Sequence, residues 1–137
     1  MKLRICLAFA LGLGLATGAQ AAEAIKSAVS GAAESSHIFC DATGASPVHK
    51  APCFIRSLYV TTGATAGFLM TFNAVTAPSN GAVTPVECVA VAANSTTSLD
   101  FGNTTEQYVT GLTAVFSSTG CFTQTLSATA FFKGRMQ

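Results

Sequence analysis

From Phe54 onward the chain is broken at short intervals by clusters of Gly, Pro, Asn and Ser, and the stretches between them are rich in Val, Thr, Phe and Tyr. Segments of that length and composition favour extended strands joined by tight turns. Phe54 to Thr62 (FIRSLYVTT) is the first, and Gly63-Ala64-Thr65 turns it into Ala66 to Ala74 (AGFLMTFNA), with Phe68, Met70 and Phe72 on one face. In the loop Ala77 to Ala82, Pro78 fixes φ and Asn80-Gly81 accepts a positive φ. Thr84 to Val91, Ser95 to Gly102, Tyr108 to Ser118 and Thr123 to Lys133 complete the set. In the last, Leu126, Ala128, Ala130 and Phe132 alternate with Thr125, Ser127 and Thr129, the pattern of a half-buried strand. Beyond the N-terminal leader no stretch carries a helical stripe. The expectation is all-β: a small antiparallel β-sandwich, jelly-roll or immunoglobulin-like, of six strands, or seven if Ile38 to Asp41 also pairs.

The first 21 residues have a different character. Lys2 and Arg4 precede an apolar run from Ile5 to Leu15, and Ala19-Gln20-Ala21 supplies small residues at the −3 and −1 positions of a cleavage site. This is the grammar of a secretory signal peptide. The run is too short to span a bilayer as a helix, which takes about 20 residues. Cys6 lies inside the run rather than after the cut, so no lipid anchor is expected and no membrane anchor remains after cleavage. The mature chain then begins at Ala22. Residues Ala22 to Ser36 (AEAIKSAVSGAAESS) are small and polar, and they read as a flexible N-terminal arm before a single domain, His37 to Gln137.

That mature chain sets Lys26, Lys50, Arg56, Lys133 and Arg135 against Glu23, Glu34, Asp41, Glu87, Asp100 and Glu106, five cations to six anions, a net of −1. The sequence shows no basic run to neutralise phosphates, so nucleic-acid binding is not expected. Near-zero charge on a hydroxyl-rich surface favours association instead.

Phe72 to Gly102 resembles the small β-sandwich proteins of phages and prophages that belong to virion surfaces. The likeness rests on the Ala77-Pro78 turn, Gly81, the Thr84-Pro85 strand start and the Ala93-Asn94-Ser95-Thr96 turn, with Thr110 to Phe116 similar to a penultimate strand. The resemblance implies a sandwich with a surface role. The signal peptide and the cysteines depart from that pattern and favour an exported protein of similar fold.

Four cysteines remain after cleavage: Cys40, Cys53, Cys88 and Cys121. An even number in a small exported domain describes a disulfide framework with three connectivities. The expected pairs are Cys40 with Cys53, across a loop containing Gly44 and Pro47, and Cys88 with Cys121. His37, Cys40, His49 and Cys53 also have a spacing that a tetrahedral zinc ion would accept. An oxidising destination would consume both thiols, and no Cys-x-x-Cys knuckle is present, so a staple is expected in place of a metal site and no cofactor is implied. His37 and His49 could serve as bases with Asp41 orienting one of them, and Glu87, Asp100 and Glu106 are the carboxylates available for acid–base work. No nucleophile elbow singles out a serine. Asn94-Ser95-Thr96 and Asn103-Thr104-Thr105 are formal glycosylation sequons. The expectation is a secreted, non-enzymatic structural, adhesive or surface-assembly protein that self-associates through edge strands, the C-terminal one foremost. A monomeric binding module, for glycans for example, is the alternative, and a small secreted hydrolase the remote one.

Overall fold

The computed structural model describes residues 26–45 and 48–137. The expected signal peptide and its expected cleavage site at Ala21, the first residues of the arm and Pro47 lie outside the described residues. Among the described residues the chain is all-β, with twelve short strands.

The first sheet is organised around β4 (Cys53–Thr62) and β12 (Ala130–Met136), antiparallel over most of their length. In β12 the residues Ala130, Phe132, Gly134 and Met136 point inward while Phe131, Lys133 and Arg135 face solvent, the period-2 alternation of a strand with one buried side. On the far side of β12 lies β1 (Lys26–Val29), and on the far side of β4 lie β8 (Thr96–Asp100) and β9 (Glu106–Tyr108). The second sheet runs β3 (His49–Lys50), β2 (Ser36–Asp41), β10 (Leu112–Ser117), β5 (Gly67–Phe72) and β7 (Glu87–Val91). Its pairs are antiparallel except β2 with β3, which is parallel.

The inner faces of the two sheets pack together. Ile55, Leu58, Val60, Phe132 and Met136 from the first meet Phe39, Leu69, Ala114 and Phe116 from the second in one buried cluster. Apart from Ala114, each of these side chains contributes roughly 1.5–3 kcal/mol when fully buried. Two further contacts cross the gap. A Cβ built on Gly134 would sit 2.8 Å from the Phe39 ring, so only glycine lets that ring come this close to β12. Tyr108 of β9, fully buried, shares a 2.7 Å hydrogen bond with the Thr71 hydroxyl of β5. The sheets form a sandwich.

A third layer covers the outer face of the second sheet. β6 (Gly81–Ala82) and β11 (Thr123–Gln124) pair with each other. Their loops lay Ala77, Val83 and Leu126 over Met70, Phe72 and Val115. This is why all six residues of β10 are buried, although a strand covered on one side would alternate. Gln124 is buried with the layer, its amide nitrogen donating to the Pro78 carbonyl. Cys88–Cys121 fastens the layer to β7.

Three expectations are corrected. The flexible arm is not free throughout: Lys26–Val29 pairs with Met136–Lys133, Ala28 faces the core, and the Ser30 hydroxyl accepts from the Phe132 N–H at 2.9 Å. Small residues suit this position because an edge strand is held by its backbone ladder and needs no large side chain of its own. The expected strand from Tyr108 to Ser118 is two, since β9 and β10 belong to different sheets. The chain crosses between them at Gly111, where a Cβ would meet the Cys40 carbonyl oxygen at 2.8 Å. The C-terminal segment from Thr123 is also two strands, and β12 lies between β1 and β4, so it is not an edge.

Candidate functional site: the corner around Cys40 and Cys53

Cys40 of β2 and Cys53 of β4 are disulfide-bonded, as are Cys88 and Cys121, in the expected pairs. The first bond joins the two sheets at one end of the sandwich. Between its cysteines the chain turns on Asp41, whose Oδ1 accepts from the Thr43 N–H at 2.8 Å, the Thr43 hydroxyl at 2.7 Å and the Gly44 N–H at 2.8 Å. These donors, the Thr43 hydroxyl foremost, hold the Asp41 carboxyl below the usual carboxylate range. Gly44 has φ +62°, and a Cβ there would collide with Lys50, so glycine closes the turn. The return strand β3 then sets His49 opposite Cys40 and Lys50 opposite Asp41. Disulfides of this kind belong to an oxidising, non-cytoplasmic compartment.

The two histidines have different surroundings. His37 lies further along β2, 15% exposed, with Nδ1 2.5 Å from Glu34 Oε1. Its ring meets Phe39 edge-on at 4.6 Å and stacks at 6.4 Å on Phe132. His49 is half-buried beside Lys26, and burial first, then the lysine charge, lowers its pKa. Asp41 orients neither histidine, because its carboxylate is taken by its own turn. The sulfurs of Cys40 and Cys53 are bonded to each other, and among the described residues no three His, Cys, Asp or Glu side chains gather as a metal site would require. The four spaced ligands of the sequence are a staple and two separated imidazoles.

The carboxylates do not converge either. Asp100 caps the Gly102 N–H at 2.8 Å, while Glu87 and Glu106 lie near Tyr108 on opposite sheets. Both sequon asparagines are exposed, Asn94 in a turn with φ +51°.

What the corner does form is a cleft of about 460 Å³, with Lys26, His49 and Lys50 on its rim and Phe54 on its wall. Lys26 and Lys50 lie 24 positions apart in the chain. Only the addition of β1 to β12 and of β3 to β2 brings them together, so no local pattern announces the cleft. Glu34, the partner of His37, had a weak local signal in its spacing of three residues. Compared with protein-family models, curated proteins and solved structures, the chain matches none.

Proposed function

We propose that this chain is an exported, non-enzymatic protein of a cell or particle surface that assembles through a sheet edge. The signal-peptide grammar, the two disulfides and the likeness of Phe72–Gly102 to virion-surface sandwiches point the same way. The observation that carries the reading is the free side of β8. Among the described residues no strand pairs with that side. β8 is five residues long, with no proline and with Asp100 as its one charge. The other edges of the two sheets are poorer templates: β3 has two residues, β9 three, β1 four, and β7 is preceded by Pro85 and tied down by Cys88. An undefended edge offers backbone donors and acceptors to another copy.

The ladder to β4 identifies which groups are offered. Thr62 donates to the Ser95 carbonyl and Phe101 to the Arg56 carbonyl, so Ser95, Thr97, Leu99 and Phe101 face β4. Thr96, Ser98 and Asp100 therefore turn their backbone groups outward. Ser98→Pro removes an outward N–H without breaking a bond to β4. Light scattering on the exported protein is expected to show masses above the monomer that rise with concentration, and Ser98→Pro is expected to lower them with little change in unfolding midpoint. A wild type that stays monomeric at high concentration would defeat the assembly reading. The binding-module reading, favoured by the cationic cleft, would then take its place.

A further inference from the structure

All five Lys and Arg residues of the described chain are Lys26, Lys50, Arg56, Lys133 and Arg135. In sequence they are scattered; in the fold Lys133 and Arg135 face solvent on the outer side of the first sheet, while Lys26 and Lys50 line the cleft at the end of the sandwich. Lys133 stands directly across the ladder from Tyr59, and the Arg135 guanidinium lies 5.9 Å from the centre of the same ring. Lys26 pairs in register with Met136, on the face opposite Arg135, and lines the cleft with Lys50 and His49. Phe54 forms the cleft wall on β4, where Arg56 is the next residue of the same parity, and its carbonyl accepts from the Gln137 N–H at 2.8 Å. From Phe54 to Tyr59 is about 16 Å along the strand at the usual rise. Two carboxylates lie along this stretch of the ladder: Asp100 opposite Ser57, engaged with the Gly102 N–H, and Glu106 opposite Ile55. Among the described residues none of the five cations forms an ion pair with a carboxylate.

We propose that these two cationic clusters, the Tyr59 face and the Lys26–Lys50 cleft, bind an acidic polysaccharide that passes round the end of the first sheet. Two features favour a saccharide as the bearer of the negative charge. Tyr59 and Phe54 offer flat apolar faces, and the next position across the ladder from Tyr59 is Ser98, with Thr61 and Thr96 bonded hydroxyl to hydroxyl at 2.8 Å beside it. Aromatic faces flanked by hydroxyls and cations match a polymer that alternates C–H faces, hydroxyls and charged groups. A nucleic acid is less well matched, because the chain as a whole is close to neutral and has no long basic surface to displace many counterions. The inference rests on the exported-surface reading only for where the polymer is met. Binding itself is a property of the purified protein, whatever its state of assembly.

The test is titration of the protein with heparin (sulfated), polygalacturonate (carboxylated), dextran (neutral) and a single-stranded DNA oligonucleotide, at 50 and 200 mM salt. Binding to heparin, polygalacturonate or both is expected, weakening as salt rises, with none to dextran, and the preferred polymer identifies sulfate or carboxylate as the recognised group. The double variant Lys26→Gln/Lys50→Gln and the single Arg135→Gln should each weaken binding tenfold or more, while Lys26→Arg/Lys50→Arg retains most of it. Near-UV circular dichroism checks that each variant is folded. The proposal is overturned if neither acidic polysaccharide binds at 50 mM salt, if folded glutamine variants bind as the wild type does, or if the DNA binds as tightly as the better polysaccharide. The glutamine variants leave β8 unchanged, so light scattering on them reads assembly separately from polymer binding.

Discussion

Phe39 and Gly134 show how much of this core depends on a missing side chain. The Phe39 ring, fully buried, spans the gap between the sheets and rests where a Cβ on residue 134 would be 2.8–2.9 Å from two of its carbons. Gly134→Ala should therefore destabilise by about 1–3 kcal/mol, the usual cost of overpacking a close-fitting core. Denaturant midpoints measure it, and Phe39→Leu added to Gly134→Ala should recover part of the loss by shortening the opposing group. If Gly134→Ala alone is as stable as the wild type, the ring does not pack as described. Sequence gave no warning of this glycine, which reads as a weak point in a strand, because its neighbour is 95 positions away. The cysteines are the opposite case. Their even number, with export expected, was enough to anticipate a disulfide framework, and the turn residues between Cys40 and Cys53 favoured that pair, whereas no single turn marks the 33-residue span of Cys88–Cys121.

At the scale of strands, alternation shows which residues share a face but not which sheet a strand joins. β5, β7 and β8 fall within the segments that turn chemistry marks out, β4 extends its segment by Cys53, and β2 is the additional strand anticipated at Ile38 to Asp41, starting two residues earlier. The breaks at Gly111 and after Gln124 were hidden because the residues on both sides of each break have strand composition. β1 was hidden because its residues are too small to announce a core. The covering layer on the second sheet is likewise invisible locally: β10 reads as a buried strand whether a sheet or a pair of loops lies over it. A consequence can be measured at the two disulfides. Cys40–Cys53 closes 13 residues and Cys88–Cys121 closes 33, worth about 3 and about 4 kcal/mol in the chain-entropy model. Replacing Cys88 and Cys121 with serine should also act locally, raising amide exchange at Ala82, Gln124 and Leu126 above that of the β4–β12 ladder. Replacing Cys40 and Cys53 should loosen the junction between the sheets. Equal rises across both sheets in the Cys88→Ser/Cys121→Ser protein would show that the layer is not a separate unit.

For the molecule as a whole, three ionisable groups set the pH range in which the fold is most stable. None was legible as such in the sequence, because each owes its environment to contacts made by the fold. His49 has a folded-state pKa below its ordinary 6.5, through burial and then Lys26. As pH falls below 6.5 the unfolded chain gains a proton that the folded chain resists, so stability declines from there and levels off once the folded imidazole is also protonated. Asp41, held below 3.8 by the Thr43 hydroxyl and the Gly44 N–H, adds a second loss as pH falls below 3.8. Tyr108 acts at the other end. Burial, opposed by the Thr71 hydrogen bond and reinforced by Glu106 and Glu87, pushes its phenol up to about 12 from 10.0. Above pH 10 the unfolded phenol ionises while the folded one keeps its proton, and stability falls by roughly 2–3 kcal/mol as pH approaches 12. Urea midpoints should therefore be highest between about pH 6.5 and 10, lower at pH 5, lower again at pH 3, and lower at pH 11. Single substitutions separate the three: His49→Gln should flatten the step between pH 7 and 5, Asp41→Asn the step below pH 4, and Tyr108→Phe the step above pH 10. Tyr108→Phe should also lower the midpoint at neutral pH, because the Thr71 hydroxyl loses its partner across the sheets. A midpoint unchanged between pH 7 and 5 would mean that His49 titrates alike in both states, and that the cleft does not hold it beside Lys26.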